Sequence, residues 1–255
     1  MSEWLLEADD LSMRFGGLLA VDQVALKIKT GEIVSIIGPN GAGKTTVFNC
    51  LTGFYKPSGG VVRFKGSAIQ KLPGHKIAQR GVVRTFQNVR LFKNMTVLEN
   101  LLVAQHRRLN TSLLAGLFKT PDFRRSEQKA MDNAEFWLNK VGLLEFANRE
   151  AGNLAYGQQR RLEIARCMVT DPYLLMLDEP AAGLNPNETA ELDQLITDLR
   201  THHNVSVLLI EHDMKLVMDI SDRIYVINQG RPLASGVPES VRSNPDVIKA
   251  YLGES

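Results

Sequence analysis

One eight-residue segment, Gly38-Pro-Asn-Gly-Ala-Gly-Lys-Thr45, constrains the fold of this chain more than any other feature. It follows the apolar run Glu32–Ile37, which is typical of a short buried parallel strand, and it precedes a helical pattern over residues 45–51. In that setting the small residues let consecutive backbone N–H groups surround a triphosphate, and the start of the helix points at the same anion. The segment therefore predicts a phosphate-binding loop.

Individual residues of this loop have distinct expected roles. Lys44 supplies a cation for the outer phosphates, and the Thr45 hydroxyl is a ligand for Mg²⁺. We expect the whole segment to bind the nucleotide, with contacts from Gly38, Pro39, Asn40, Gly41, Ala42, Gly43, Lys44, Thr45 and Thr46.

The overall composition is that of a globular α/β protein. The chain has 255 residues, of which 44% are hydrophobic and 23% are charged, and its formal net charge of +2 does not indicate a nucleic-acid partner. Cys50 and Cys167 lack the spacing of metal ligands and predict buried, reduced thiols. The N-terminal residues lack the features of a secretion signal, and no window approaches the ~18 apolar residues of a membrane span, so we expect a cytoplasmic protein.

The order of the predicted elements indicates one α/β core that is interrupted by a helical insertion. Residues 4–29 predict an antiparallel β region, and the pattern becomes helical over residues 88–157. The continuous apolar strand Tyr173–Asp178 is typical of a parallel sheet. We therefore expect a P-loop NTPase core of the RecA-like type, formed by residues 1–87 and 158–255, with an inserted α-helical subdomain.

Two carboxylates follow one another at the end of the predicted strand Leu174–Asp178. An acidic residue at the tip of a strand beside a phosphate-binding loop can hold Mg²⁺, directly or through water, and we expect this role for Asp178. A carboxylate at Glu179 can orient and deprotonate the water that attacks the γ-phosphate. The pair therefore indicates nucleotide hydrolysis rather than binding alone.

Two polar side chains at other strand ends extend the predicted site. Gln87 follows the strand Val82–Phe86, from which its amide can reach Mg²⁺ or the attacking water. His212 follows the strand Val205–Ile210, at the carboxyl edge where open α/β sheets bind ligands, and it can hydrogen-bond the γ-phosphate. A single Gln or His is often merely structural, so both assignments depend on the motifs around them.

The segment Leu154-Ala-Tyr-Gly-Gln158 lies in the helical region and precedes a predicted helix. A glycine at the start of a helix leaves backbone N–H groups for an anion. Taken alone, the segment also fits a simple turn before a helix.

Together these elements resemble the ATP-binding cassette family over essentially the whole chain. The resemblance implies ATP and Mg²⁺ as cofactors and a sandwich dimer, in which the Walker A loop of one subunit and the signature of the other close on the same nucleotide. The corresponding elements are the Walker A loop (Gly38–Thr45), the Q-loop (Gln87), the signature (Leu154, Ala155, Tyr156, Gly157 and Gln158), the Walker B strand (Leu174–Asp178, then Glu179), the D-loop (Ala182–Asn185) and the switch histidine (His212).

The family pattern also implies an adenine-stacking aromatic residue upstream of the loop. Phe15 stands at that point, although a phenylalanine in a core strand would look the same in sequence. Two elements depart from the pattern: Ala155 and Tyr156 replace the usual Ser and Gly of the signature, and Asn185 replaces the Asp of the D-loop. Ala155 removes a hydroxyl contact to the opposite γ-phosphate, but the intact catalytic residues still predict ATPase activity.

At finer grain the chain resembles the ATP-binding subunits of bacterial high-affinity branched-chain amino acid importers. The segments that carry this resemblance include Met13–Leu18, Gly81–Gln87 and Leu154–Arg161. The resemblance implies a second ATPase subunit, identical or different, two membrane permeases and, indirectly, an extracytoplasmic substrate-binding protein. It also implies a peripheral position on the inner face of the plasma membrane.

Two alternative assignments remain open at this point. Another transporter cassette, such as the lipopolysaccharide-exporting type, shares the length and architecture, but we expect it to keep Ser-Gly-Gly where this chain has Ala155-Tyr156-Gly157. A soluble cassette protein of DNA repair or translation would generally carry paired cassettes or a long coiled-coil insertion, and this insertion is too short and interrupted for sustained heptads.

We expect residues 88–118 to form the permease-facing surface. This segment is too broken to bury all its apolar side chains. Residues 104–130 carry six Lys or Arg against two Asp or Glu, which favours either anionic lipid headgroups or a solvated basic face. The apolar residues of the expected surface are Phe92, Met95, Leu113, Leu114, Leu117 and Phe118.

Overall fold

The computed structural model describes residues 3–105 and 121–252. It divides into two compact units, and in the described ranges no helix combines the length and the apolar character needed to cross a membrane. The first unit contains Met1–Gln87, Tyr173–Ala182 and Thr189–Ser255, and the second contains Asn88–Pro172 and Gly183–Glu188.

The strands of the described residues belong to the first unit. In chain order they are β1 (Leu6–Phe15), β2 (Leu18–Ile28), β3 (Ile33–Ile37), β4 (Gly59–Phe64), β5 (Ser67–Ala68), β6 (Val82–Arg84), β7 (Leu174–Asp178), β8 (Ser206–Ile210), β9 (Arg223–Asn228) and β10 (Arg231–Gly236).

These strands form two sheets of different character. The antiparallel sheet has the order β2-β1-β4-β5, and the larger sheet has the order β10-β9-β3-β8-β7-β6. In the larger sheet every neighbouring pair is parallel except β10 with β9. Strands β3, β7 and β8 are buried along their whole length, as expected for parallel strands that are covered on both faces.

The described α-helices complete both units. In chain order they are α1 (Lys44–Leu51), α2 (Gly74–Gln79), α3 (Val97–Gln105), α4 (Pro121–Lys140), α5 (Tyr156–Met168), α6 (Pro186–His203), α7 (Met214–Ile220), α8 (Pro238–Arg242) and α9 (Pro245–Leu252). Two 3₁₀ turns, Leu144–Phe146 and Ala151–Asn153, lie between α4 and α5.

Helix α1 joins the two sheets of the first unit into one core. Its residues Val47, Phe48 and Leu51 belong to the same buried cluster as Leu26 of β2 and Met176 of β7. Phe48 is among the largest side chains that are completely buried. Since α1 directly follows the phosphate-binding loop, this packing fixes the loop relative to both sheets.

The second unit is held by helix packing and by buried polar contacts. Helix α3 packs against α4 and α5. In α5 the buried Arg160 guanidinium pairs with the buried Glu163 carboxylate at 3.3 Å, and Glu163 also accepts the Arg90 N–H. The amide of Asn100 bonds the backbone of Phe92, which fixes the entry to α3.

The second unit extends further along the chain than the sequence division predicts. The predicted insertion starts at residue 88, as the unit does, but it ends at 157, whereas the unit continues to Pro172. Helix α5 belongs to this unit because it packs on α3 and α4 and carries the Arg160–Glu163 pair. From Tyr173 onward the predicted core lies in the first unit, except for residues 183–188, which belong to the second unit.

Several elements predicted from periodicity are present with small differences at their ends. Strand β2 buries Val24, Leu26 and Ile28, as the alternation predicts. The predicted helix over 96–105 starts at Val97, and the Asn185 side chain accepts the N–H groups at the start of α6. The apolar residues Leu113, Leu114, Leu117 and Phe118 of the expected permease-facing surface lie outside the described residues.

We predict that Asp193→Asn stabilises the protein near neutral pH. The pKa of Asp193 is raised to about 6, mainly by burial and also by the nearby carboxyl groups of Asp213, Asp219 and Glu211. Because the pKa in the unfolded chain is lower, the ionised carboxylate destabilises the fold increasingly as the pH rises from about 4 to about 6. At pH 7.5 the variant should gain about 1 kcal/mol, a value reduced for the partial exposure of Asp193, or roughly 2–4 °C in Tm.

Thermal unfolding at pH 7.5 and at pH 4.5 tests this prediction. The gain in Tm should shrink at pH 4.5, where Asp193 is largely protonated in the native protein. Glu191→Gln removes an exposed charge from the same helix and is the matched control. An equal gain in both variants would assign the effect to net charge rather than to Asp193.

Candidate functional site

The phosphate-binding loop has a backbone that depends on glycine. Gly43 caps α1 with φ of 97°, and a Cβ there would lie 2.7 Å from the Ala20 carbonyl oxygen. A Cβ on Gly38 would lie 2.0 Å from the Ile227 carbonyl oxygen. No side chain fits these approaches, so the loop packs backbone against backbone and leads directly into the start of α1.

Lys44 is a buried cation in this loop. Its Nζ donates hydrogen bonds to the carbonyl oxygens of Gly38 at 2.7 Å and Pro39 at 3.0 Å. Burial lowers the pKa of the Lys44 ammonium, and the nearby carboxylates of Glu179 and Asp178 oppose that shift. The ammonium is therefore placed among carbonyl and carboxylate oxygens, where it can balance the charge of a phosphate.

A cavity of about 450 Å³ opens over the loop. It brings together the loop residues 40–46 with Glu179 and His212, and it adds two segments that are not among the predicted site residues. Those segments are Leu18–Ala20 of β2 and Gln229–Gly230 of the turn between β9 and β10. The lining residues are Leu18, Leu19, Ala20, Asn40, Gly41, Ala42, Gly43, Lys44, Thr45, Thr46, Glu179, His212, Gln229 and Gly230.

Three predicted catalytic side chains form one hydrogen-bonded group. The Glu179 carboxylate accepts the Gln87 side-chain amide N–H at 3.0 Å through Oε2. Its other oxygen, Oε1, lies 3.0 Å from Nε2 of His212. Both oxygens of Glu179 are thus oriented by side chains from the ends of other strands, and Glu179 itself lines the cavity.

The backbone at Glu179 is strained and is held by neighbouring hydrogen bonds. Glu179 has a positive φ of 49°, and its N–H donates to the Ile210 carbonyl at 2.9 Å. The buried Glu211 carboxylate accepts N–H groups from Ala181 at 2.7 Å and from His212 at 2.9 Å. Burial is the main cause that raises the pKa of Glu211, and these backbone bonds oppose it.

Glu211 therefore ties the turn after β7 to the end of β8. The sequence motifs place Glu211 between Ile210 and His212 without giving it a role. The sequence does signal such a role, because a carboxylate directly after a buried apolar strand needs hydrogen-bond partners.

The expected metal-binding residues match the chemistry of Mg²⁺. Asp178 is buried at the end of β7, with a side chain 3% exposed, and Thr45 lines the cavity. Within the described residues no cluster of three or more His, Cys, Asp or Glu is suited to a metal ion. A hydroxyl, one carboxylate and an amide suit a cation that takes few protein ligands and completes its shell with phosphates and water.

Asp178 also has a cationic partner that the sequence motifs do not identify. The Arg84 Nη2 donates to Oδ2 of Asp178 at 3.2 Å. Arg84 is the last residue of β6, three residues before Gln87. The pairing of β6 with β7 brings the two side chains together.

Phe15 lies at the end of β1 and is 40% exposed. The Tyr55 ring meets it edge to face with centroids 5.2 Å apart, and Phe54 packs on Tyr55 at 5.4 Å. Phe15 does not line the cavity over the loop. The lining residue that stands nearest to it in the sequence is Leu18. Its exposure fits a surface that stacks on a base more than it fits a buried strand residue.

The signature segment forms the start of α5 in the second unit. The Ala155 N–H donates to Oε1 of Gln158 at 3.1 Å, which is one half of a capping box. Ala155 has no side-chain oxygen to accept an N–H group in return. The first turn of α5 therefore keeps backbone donors that an anion can use.

The signature packs against the D-loop within the same unit. A Cβ on Gly157 would lie 2.4 Å from Oε1 of Glu188, and one on Gly183 would lie 3.2 Å from the Tyr156 ring. The other oxygen of Glu188 accepts the Asn185 N–H at 3.0 Å. The conformation of Leu154–Gln158 is thus linked to that of 183–188.

Two family models match this chain. The model described as ABC transporter matches residues 21–182, which is more than half of the chain. The model described as branched-chain amino acid ATP-binding cassette transporter matches residues 231–255. The first match includes every predicted site residue except Phe15 and His212.

Curated relatives match along the whole length of the chain. The high-affinity branched-chain amino acid transport ATP-binding protein BraF of Pseudomonas aeruginosa is 72% identical over 255 residues, with 100% of both chains covered. The protein LivG of Escherichia coli K12, described in the same words, is 68% identical with the same coverage.

A solved structure has the same fold. The ADP conformation of MJ1267, an ATP-binding cassette of an ABC transporter, has a TM-score of 0.85 and 33% sequence identity. The match covers 99% of this chain and 100% of that one. The fold is therefore that of an ATP-binding cassette with a P-loop NTPase core.

We predict that Glu179→Gln keeps ATP binding but slows hydrolysis by about 10²–10⁴-fold. The amide cannot accept the proton of the attacking water, whereas Lys44 and the loop are unchanged. ATP turnover and binding of a fluorescent ATP analogue measure the two effects separately. Turnover near the wild-type rate would mean that another group activates the water.

We predict that Phe15→Ala weakens ATP binding by about 1–3 kcal/mol, in line with base–aromatic stacking. Phe54→Ala is the matched control, because Phe54 also packs on Tyr55 and is more exposed. Binding of ATP and of inorganic triphosphate should be compared by calorimetry. Loss of affinity for both ligands alike would argue against a contact with the base.

Proposed function

We propose a function for this chain from the premise that it belongs to the ABC transporter family of ATP-binding cassettes. It binds and hydrolyses ATP as a subunit of a high-affinity importer, and it thereby powers the uptake of leucine, isoleucine and valine. Support comes from relatives described as branched-chain amino acid transport ATP-binding proteins, which align over all 255 residues at 72% and 68% identity.

The main support for ATP hydrolysis is the hydrogen-bonded group formed by Gln87, Glu179 and His212. The Glu179 carboxylate is held at both oxygens and faces the cavity over the phosphate-binding loop. A carboxylate in this position orients a water molecule and takes its proton as the water attacks the γ-phosphate. His212 keeps Glu179 in place and is itself at the cavity, where it can contact the γ-phosphate.

The loop binds the rest of the triphosphate. Backbone N–H groups of the loop and of the first turn of α1 surround the phosphates, and Lys44 exchanges its bonds to the carbonyls of Gly38 and Pro39 for bonds to phosphate oxygens. This exchange keeps the buried ammonium paired throughout. Phe15 provides the stacking surface for adenine.

Thr45, Asp178 and Gln87 are the residues that would hold Mg²⁺. A Mg²⁺ ion held there would neutralise negative charge that develops on the phosphates during transfer. Their donor atoms fit the preference of Mg²⁺ for oxygen ligands. The protein contributes a buried carboxylate, a hydroxyl and an amide from three different elements.

The signature Leu154–Gln158 acts on the nucleotide of a partner subunit. Its donors are the backbone N–H groups at the start of α5, since Ala155 offers no hydroxyl. Closure of two such subunits on ATP, followed by hydrolysis, supplies the conformational cycle of the importer. The partner is a second cassette subunit, either identical or a sister.

The assembly further requires two membrane permeases and, indirectly, an extracytoplasmic substrate-binding protein. The chain sits at the inner face of the plasma membrane, and no nucleic acid takes part. Phe92, which is half exposed, and Met95 belong to the segment that faces the permease. The permeases and the binding protein select the cargo.

The alternative cassette functions receive less support. A lipopolysaccharide exporter is disfavoured by the Ala155–Tyr156 signature and by full-length identity to amino acid transport proteins. A soluble function in DNA repair or translation is disfavoured by the same identity. Purification with membrane proteins, rather than with nucleic acid or ribosomes, separates these classes.

The decisive experiment is transport by the reconstituted system. We predict that proteoliposomes with this chain, its cassette partner, both permeases and the binding protein take up labelled leucine only with ATP. Lys44→Ala should abolish uptake and hydrolysis, because the loop loses its cation. Glu191→Gln, an exposed change on α6, should leave both intact.

Competition identifies the cargo. Unlabelled isoleucine and valine should suppress leucine uptake, whereas lysine should not. ATP hydrolysis without uptake of any branched-chain amino acid would retain the ATPase assignment and reject the cargo. Normal uptake by Lys44→Ala would reject the role of the loop.

A further inference from the structure

We propose that Arg84 is a positioning residue for the Asp178 carboxylate, and that it links this metal-binding group to the end of helix α1. The inference rests on the proposed function, since it concerns Mg²⁺ bound with ATP. It adds a residue outside the motifs that define the site.

The Arg84 guanidinium donates hydrogen bonds to three side chains. Nη2 donates to Oδ2 of Asp178 at 3.2 Å, and Nη1 donates to Oδ1 of Asn49 at 2.6 Å and to Oγ1 of Thr52 at 3.2 Å. The side chains of Arg84 and Asp178 are 12% and 3% exposed. A planar guanidinium with this many fixed partners cannot turn without breaking several bonds at once.

The strand register explains why Arg84 can reach Asp178. Arg84 lies opposite Met176 in the parallel pair of β6 and β7. Met176 and Asp178 are two residues apart and so point to the same face of the strand. The Arg84 side chain therefore extends along that face towards the end of β7, where the Asp178 carboxylate lies.

The other two partners of Arg84 belong to the far end of α1. Asn49 lies in the last turn of this helix, and Thr52 follows its last residue. The first turn of the same helix carries Lys44 and Thr45, which contact phosphate and metal in the proposed function. Because α1 is short and buried, a contact at one end fixes the position of the other.

Arg84 thus connects the carboxylate and the hydroxyl that are expected to bind the same ion. One oxygen of Asp178 is committed to the guanidinium, so the rotation of the carboxylate is restricted. The guanidinium also lies over the Phe86 ring, 4.7 Å from its centroid, in the segment that connects β6 to Gln87. Lysine would keep the charge but lose the planar fork that makes these contacts together.

The two effects of Arg84 on the metal oppose each other and can be separated. Its positive charge repels Mg²⁺, so loss of the charge alone would strengthen metal binding. Its hydrogen bonds orient Asp178, so loss of the orientation would weaken metal binding. We infer that orientation dominates, because residues that orient metal ligands typically change metal affinity or activity by about 10–100-fold.

The test is a Mg²⁺ titration of the full chain in the presence of a fluorescent ATP analogue. The variants are Arg84→Gln, Arg84→Lys and Asn49→Ala, and the half-saturating Mg²⁺ concentration is measured by fluorescence, with ATP turnover alongside. Analogue binding in EDTA provides the metal-free reference. Arg63→Gln is the matched control, because Arg63 forms a 2.6 Å ion pair with Asp9 in the antiparallel sheet.

Both Arg84 variants should raise the half-saturating Mg²⁺ concentration about tenfold, without changing analogue binding in EDTA. Asn49→Ala keeps both charges and should give a smaller rise in the same direction. Arg63→Gln should behave as wild type. If Arg84→Gln fails to fold, Arg84→Lys and Asn49→Ala carry the test, since neither removes the buried cation.

An unchanged or lower half-saturating concentration in the folded Arg84 variants would overturn the proposal. A lower value in Arg84→Gln alone would assign Arg84 a purely electrostatic effect on the ion. These results are distinct from failure of the proposed function, in which the wild-type chain itself would show no Mg²⁺-dependent ATP binding or turnover. That result would overturn both.

Discussion

The site depends on the parallel pairing of β3, β8 and β7. In this register Ile36 and Asp178 both lie opposite Ile210, so the three strands end at the same level. All three strands are buried along their whole length, so their side chains pack on both faces of the sheet. A shift of the strand pairing by one residue would turn Asp178 to the opposite face of the sheet. The phosphate-binding loop, the acidic pair and His212 consequently emerge at one edge, where open α/β sheets bind ligands.

The geometry at this edge is maintained by contacts that oppose local strain. Glu179 has a positive φ in a turn that the Ile210 carbonyl and the Glu211 carboxylate hold in place. Glu211 is a buried carboxyl group, which is unfavourable unless backbone donors satisfy it. Its bonds to the N–H groups of Ala181 and His212 tie the turn after Glu179 to the segment that carries His212, so a side chain outside the sequence motifs fixes how the proposed general base and the histidine are arranged.

The second unit shows which backbone donors remain at a signature without its usual hydroxyl. The Gln158 side chain satisfies the Ala155 N–H, and the remaining N–H groups of the first turn of α5 supply donors that need no side chain. Glu188 lies against Gly157 and leaves no room for a Cβ there. The glycine is thus required by its packing on Glu188 in the first turn of α6.

The sequence alone determined the loop, the acidic pair after β7, the helical insertion and the family, because backbone requirements for binding phosphate appear as fixed residue types at fixed short spacings. It did not identify Arg84 as the partner of Asp178 or Gln229–Gly230 as a wall of the cavity, and it placed α5 in the core. Such features join residues that are distant along the chain. Only tertiary structure decides them, since pairing of strands and burial of helices bring together side chains whose spacing in sequence has no fixed value.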